Sequence, residues 1–147
     1  MDLNGRTALV TGAARRVGKA IVLALAGAGA DVVVHYGRSA DEAEATADDA
    51  RGLGVDALTV QADLARPDDI SVLFDRVEER FGGLDVLVNS AATFDKQAFQ
   101  EVTAADWDRT LAVNLRAPFL CTQRAAHAMR RSGRQGAPGA VVNLADL

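Results

Sequence analysis

The chain has 147 residues, of which 49% are hydrophobic and 24% charged, and it carries a formal net charge of -4. That length closes one hydrophobic core, so a single domain over residues 1–147 is expected, and the composition is that of a folded chain rather than a disordered one. No block of basic residues is present, so neither a nucleic-acid groove nor an anionic membrane surface is suggested, and a small molecule is the expected partner.

The opening "MDLNGRTALV" has an acid at Asp2 and only a short apolar run, which makes neither a signal peptide nor a membrane span. The expected address is the cytoplasm. "TALVTG" (Thr7 to Gly12) reads as a strand ended by glycine, and helical spacing of small and apolar residues follows from Val17 to Ala28. "ADVVVHY" is a second strand. The next helix starts at Ser39 with Asp41 and Glu42 in its first turn and stops at Gly52 and Gly54. "VDALTVQADL" is a third strand, and "RPDDISVLFDRVEERFGG" puts Ile70, Leu73, Phe74, Val77 and Phe81 on one helical stripe. "LDVLVNSAA" is the fourth strand. A long helix then runs from a cap at Thr103 through an expected bend at Pro118, a turn-rich "GRQGAP" follows from Gly133, and "GAVVNLAD" is the fifth strand. Strands apolar throughout, alternating with long helices, predict a doubly wound parallel α/β sheet of Rossmann type. Its ligands sit beyond the carboxyl ends of the strands.

The first strand tip is "TGAARRVG". Gly12 and Gly18 let the backbone turn sharply and approach a ligand, and the helix behind them offers free N–H groups to an anion, with pyrophosphate as the natural occupant. Both glycines also suit a purely structural turn. Arg15, Arg16 and Val17 belong to the same loop, and the two arginines together favour an anion contact. The second tip, "HYGRSADE", decides which dinucleotide: an NAD site carries an acid about twenty residues beyond the glycines, whereas an NADP site carries a base for the 2′-phosphate. His35, Arg38 and Ser39 are all hydrogen-bond donors and no acid precedes Asp41, so NADPH is expected over NADH. The other reading pairs Arg38 with the acids that follow it. At the third tip Asp63 either accepts from an adenine amino group, with Leu64 against the ring, or caps the next helix. The fourth tip, "NSAATF", has small residues at Ser90, Ala91 and Ala92 that leave room for a ligand, and Phe94 either stacks on a flat substrate or packs on its own loop. The single Cys121 forms no internal disulfide, and it has no metal-ligand spacing with His35 or His127, so no metal is expected.

These motifs resemble the short-chain dehydrogenase/reductase family over the whole chain. Thr11, Gly12 and Gly18 match its Thr-Gly-x-x-x-Gly-x-Gly signature, with Arg16 where the middle glycine would stand; Asn89 to Ala92 resemble its Asn-Asn-Ala-Gly element, and Asn114 its long-helix asparagine. Within the family, Arg16, the run His35, Tyr36, Arg38 and Ser39, the aromatic Phe94 and the aspartate Asp146 after the fifth strand are similar to pteridine reductases. The resemblance implies an NADPH-dependent reductase acting on a pterin or folate C=N bond. Arg16 would touch cofactor and substrate, Tyr36 would join the 2′-phosphate contacts, and Asp146 would donate or orient a proton. Asn114 would be the second catalytic residue beside Asp146, through a water or backbone contact, with a satisfied core asparagine as its other reading. A broader ketoreductase acting on carbonyl or 3-oxoacyl substrates is the alternative, and a non-catalytic nucleotide-binding fragment is the other. The family's Tyr-x-x-x-Lys lies past the fifth strand, and Tyr36, the only tyrosine, has Ala40 four residues on. The resemblance therefore implies five strands of the usual seven, no turnover by the 147-residue chain alone, and a homotetramer for the full-length parent.

Overall fold

The computed structural model describes residues 2–131 and 138–145. Strands β1 (Thr7–Val10), β2 (Asp31–Tyr36), β3 (Ala57–Gln61), β4 (Val86–Asn89) and β5 (Ala140–Asn143) form one sheet in the order β3-β2-β1-β4-β5. Every neighbouring pair is parallel, with Leu9 of β1 level with Val33 of β2 and Leu87 of β4. The connections carry α1 (Arg16–Gly27), α2 (Ala40–Arg51), α3 (Pro67–Phe81), α4 (Ala104–Leu111) and α5 (Ala117–Arg131). This is the expected doubly wound, Rossmann-like α/β sheet. Chain direction across the sheet reverses between β1 and β4, which places a crevice above those two tips.

Strand side chains alternate between faces, and each face has its own helical cover. Ala8, Val10, Val32, Val34, Val86 and Val88 meet Val22 and Ala26 of α1 and Ala43, Ala47 and Ala50 of α2. Leu9, Val33 and Leu87 point the other way, onto Ile70, Leu73, Phe74 and Val77 of α3 and Ala117, Cys121 and Ala125 of α5. Burial on both sides is why the strands are apolar without alternation. Fully buried side chains such as Leu73 and Phe74 each contribute roughly 1.5–3 kcal/mol.

At the opposite end of the sheet from the crevice, buried Asp85 accepts from the Thr7 amide at 2.9 Å and from Arg6 Nη1 at 2.9 Å. This fixes the register of β1 against β4. The α3 stripe is framed as its sequence implies, by Pro67 at the first position and by Gly82 in the left-handed conformation at φ 74°. Thr103 caps α4 through a reciprocal capping box with Asp106.

The long helix expected after Thr103 is interrupted earlier than its proline. A π-helical turn over Ala112–Arg116 separates α4 from α5, and the Ala117 amide reaches back to the Ala112 carbonyl. Pro118 lacks the N–H that would meet residue 114, and its ring crowds that same turn, so the distortion falls in the turn before the proline. β5 pairs with β4 alone among the described residues, and Val141 and Val142 on it are exposed. The "GRQGAP" segment lies outside the described residues up to position 137. No helix among the described residues is long and apolar enough to cross a membrane.

Candidate functional site

A cleft of about 950 Å³ opens above the tips of β1, β2, β3 and β4, within the size range of small-molecule sites. Gly12, Arg15, Arg16, Val17 and Gly18 line it from the first tip, His35, Tyr36, Arg38 and Ser39 from the second, Asp63 and Leu64 from the third, and Ser90 and Ala91 from the fourth.

Two glycines make the close approaches in the first turn. Gly12 has φ 64°, and a Cβ there would stand 2.8 Å from Ala91 Cα. A Cβ on Gly18 would stand 2.8 Å from Ala13 Cα and closer still to the Gly12 carbonyl. The structural reading of both glycines therefore holds, since the turn has no space for a side chain, and both glycines line the cleft. Behind it, among the described residues, the amides of residues 14 to 17 have no protein acceptor. A helix start with free N–H groups and no side-chain cap favours an anion.

Arg15, Arg16 and Arg38 are exposed at the cleft and make no ion pair among the described residues. The alternative in which Arg38 pairs with the acids of α2 is thus not what forms. Ser39 occupies the N-cap position of α2 but its hydroxyl makes no capping bond, a correction to the capped start read from the sequence. Arg16, in place of a family glycine, sits at φ 54°, the one positive value among described residues other than glycine. A left-handed L-residue is strained by about 1–2 kcal/mol, while glycine costs about 0.5–1 kcal/mol more chain entropy on folding. Arg16→Gly is therefore expected to raise stability in urea denaturation by roughly 0.5–1 kcal/mol without ligand. A loss of stability would contradict the strain.

His35 is placed differently from its sequence reading as a phosphate donor. It is buried, and Nδ1 accepts the Gly12 N–H at 3.0 Å while Nε2 lies 3.1 Å from the Ala62 carbonyl. Both ring nitrogens are committed to backbone, so the side chain ties three strand tips together and has no donor left for a ligand. Burial lowers its pKa from 6.5 to about 4, against the opposing pull of the Ala62 carbonyl. The unfolded chain takes up that proton near pH 6.5, so stability is intact above this pH and declines as pH falls from there toward about 4.

At the third tip, Asp63 Oδ1 accepts from the Ala65 amide at 3.0 Å, an Asx turn, while the N-cap position of α3 belongs to Arg66. Asp63 thus shapes the loop before α3 without capping it. Leu64 is buried in the core cluster of Leu9, Val33 and Leu87 and also lines the cleft. At the fourth tip, Thr11 Oγ1 accepts from the amides of Ser90 (3.0 Å) and Ala91 (3.1 Å). Buried Asn89 donates through Nδ2 to Asn143 Oδ1 at 2.8 Å and so holds β5. Asn114 binds backbone: Oδ1 accepts the Thr93 N–H at 2.8 Å and Nδ2 donates to the Thr93 carbonyl at 2.9 Å, pinning the loop beyond β4. Phe94 is 84% exposed and is not among the residues lining the cleft, so it does not pack on its own loop. The loop is held at Thr93, one residue short of it. Asp146 lies outside the described residues.

Four contributors were not singled out in the sequence. Thr46 donates from the α2 face to the Ala14 carbonyl at 2.9 Å and supports the glycine turn; a threonine within the buried alanine stripe was its signal. Arg109 and Val113, one turn apart, line the cleft as well, as does Asp95. Burial pushes the Cys121 thiol up to about 12, which makes it an inert packing group. No group of three or more metal-ligating side chains gathers among the described residues.

The cleft thus offers an anion cradle and, at two neighbouring tips, arginines without an ion pair among the described residues. Residues 6–145 match the family model of the short chain dehydrogenases. The chain is 39% identical over 132 residues to versicolorin reductase of Emericella nidulans, which takes in 90% of this chain and 50% of that protein. It is 36% identical over 142 residues to the 3-oxoacyl-[acyl-carrier-protein] reductase of Staphylococcus aureus, covering 97% of this chain and 56% of that one. Among solved structures, a short chain dehydrogenase from Burkholderia cenocepacia in complex with NADP superposes with a TM-score of 0.87 at 42% identity, over 97% of this chain and 56% of the other. The landomycin C-6 ketoreductase with bound NADP and rabelomycin gives 0.85 at 43% identity, over 97% and 58%. The chain spans about half the length of these proteins, from 50% to 58%.

Proposed function

The chain belongs to the short-chain dehydrogenase family, and on that premise we propose that residues 1–147 form an NADP(H)-binding domain whose parent protein reduces a carbonyl group of a small molecule. The observation that carries this reading is the set of arginines without ion pairs among the described residues, Arg15, Arg16 and Arg38, at the tips of β1 and β2, where no described acid stands to meet an unphosphorylated ribose. Relatives that carry NADP, and relatives that are ketoreductases or oxoacyl reductases, support it.

The residues fit the cofactor. Amides 14 to 17 would hold the pyrophosphate, Arg15, Arg38 and Ser39 the 2′-phosphate, with Tyr36 beside them, and Asp63 and Leu64 the adenine. Ser90 and Ala91, held by Thr11, form the floor, with Asn89 fixing the strand beneath. When bound, the cofactor supplies a hydride. The chain's own part is to orient it and exclude water, with Asn114 keeping the β4 loop in place and Asp146 as the proposed proton donor. Alone, the 147-residue chain is proposed to bind without turnover.

A second reading, reduction of a pterin or folate C=N bond, is favoured by Arg16 in its left-handed position at the cleft, together with Asp146. The parent protein, at the length of its relatives, should be assayed for NADPH oxidation with a ketone, a 3-oxoacyl thioester and a dihydropterin. At least tenfold higher kcat/KM on a carbonyl substrate is expected; the reverse order establishes the second reading, and no oxidation with any of the three contradicts both. A homotetrameric parent is proposed as well, supported by Trp107, Leu111, Leu115 and Phe119, which stand exposed four residues apart from α4 through the π-helical turn into α5.

A further inference from the structure

We propose that His35 determines which amides of the glycine turn are left for the cofactor's pyrophosphate, as a positioning residue that must be neutral with its hydrogen on Nε2. The inference rests on the NADP-binding reading above. His35 grips two consecutive amides from one position on β2: its ring Nδ1 takes the Gly12 N–H at 3.0 Å, and its backbone carbonyl takes the Ala13 N–H at 2.8 Å. The next four amides have no protein acceptor among the described residues. The boundary between committed and available donors therefore falls at residue 14: the β2 main chain holds the Ala13 amide, and the imidazole holds the Gly12 amide that would otherwise join the free set.

The tautomer follows from the two partners. A backbone N–H faces Nδ1, so Nδ1 must be the acceptor; a carbonyl faces Nε2, so Nε2 must carry the hydrogen. The imidazolium would set a hydrogen on Nδ1 against the Gly12 hydrogen and push the turn away from β2. Burial, which lowers the ring's pKa to about 4, keeps that form out at neutral pH. Charged side chains line the same cleft from each element around the ring: Arg15 and Arg16 from the turn, Arg38 beyond β2 and Asp63 beyond β3. None of them bonds the imidazole.

The consequence is selective. Replacing His35 with an apolar residue frees the Gly12 amide and loosens the cradle, which affects ligands that place a pyrophosphate there. Contacts to the 2′-phosphate at Arg38 and Ser39 do not pass through the ring. His35→Asn keeps a side-chain oxygen for Gly12, whereas His35→Leu removes it.

The test compares NADP with adenosine 2′-monophosphate, which lacks the pyrophosphate, on the wild-type chain and both variants at pH 7, with folding checked by circular dichroism. His35→Leu is expected to bind NADP at least twentyfold more weakly and adenosine 2′-monophosphate within threefold of wild type; His35→Asn should hold NADP within about fivefold. Nitrogen-15 spectra of the wild-type histidines should show His35 Nδ1 bare and Nε2 protonated, a result that does not depend on whether a variant folds. Equal losses for both ligands, undiminished NADP binding by His35→Leu, or a hydrogen on Nδ1 would overturn the proposal. Failure of the wild-type chain to bind NADP would instead overturn the cofactor reading and this inference with it.

Discussion

Gly18→Ala is expected to lower the stability of the chain by roughly 3 kcal/mol, the upper end of the cost of overpacking. At this chain length that is a fall of about 6–12 °C in the thermal midpoint. The new Cβ would stand 2.8 Å from Ala13 Cα and closer to the Gly12 carbonyl. Both obstacles are backbone, so no rotamer change relieves them; the turn must move, and it can do so only by separating the first tip from α1. NADP affinity should fall with it by more than thirtyfold, because the amides of residues 14 to 17 follow the turn. Gly27→Ala is the matched control, since a Cβ there meets nothing within 4 Å. It should be neutral or slightly stabilising, and thermal melts of the two variants side by side check the contrast. Equal melting of both would show that crowding at Gly18 is not what the turn depends on.

Arg38→Asp is expected to weaken NADPH by about 100-fold, or roughly 3 kcal/mol, and NADH by less than threefold. A hydrogen bond to a charged phosphate is lost and a negative charge takes its place. Because Arg38 has no ion pair among the described residues, little stability should change with it. Titration of both nucleotides against the variant checks this, and equal losses would remove the basis for preferring the phosphorylated cofactor.

Much of the fold was legible because its determinants are local. Valines at 32 to 34 announce a strand buried on two faces, and Pro67 and Gly82 mark the ends of α3 with residue types that suit those positions for one physical reason each. The glycine turn was legible for the same reason: only glycine fits at 12 and 18. What escaped was set by partners distant in sequence. His35 reads as a donor because imidazole usually is one; its commitment to Gly12 and Ala62 depends on burial between β1 and β3, which no neighbouring residue reports. Pro118 correctly signalled a break in the long helix, yet proline acts on the turn behind it, so the π-helical turn centres on Asn114. Asp63 lay between two readings, and an Asx turn satisfies one of its oxygens without capping α3. Arg109 and Val113 are unremarkable as sequence and join the cleft through contacts distant from the strand tips in sequence.

The central claim is that the donors grouped above β1 and β2 bind a nucleotide bearing a 2′-phosphate. Isothermal titration of the folded chain with NADP and with NAD at pH 7, under matched salt, tests it most directly. Saturable binding of NADP, at least tenfold tighter than NAD, is the result the account requires; no heat with NADP, or equal affinities for the two, would contradict it.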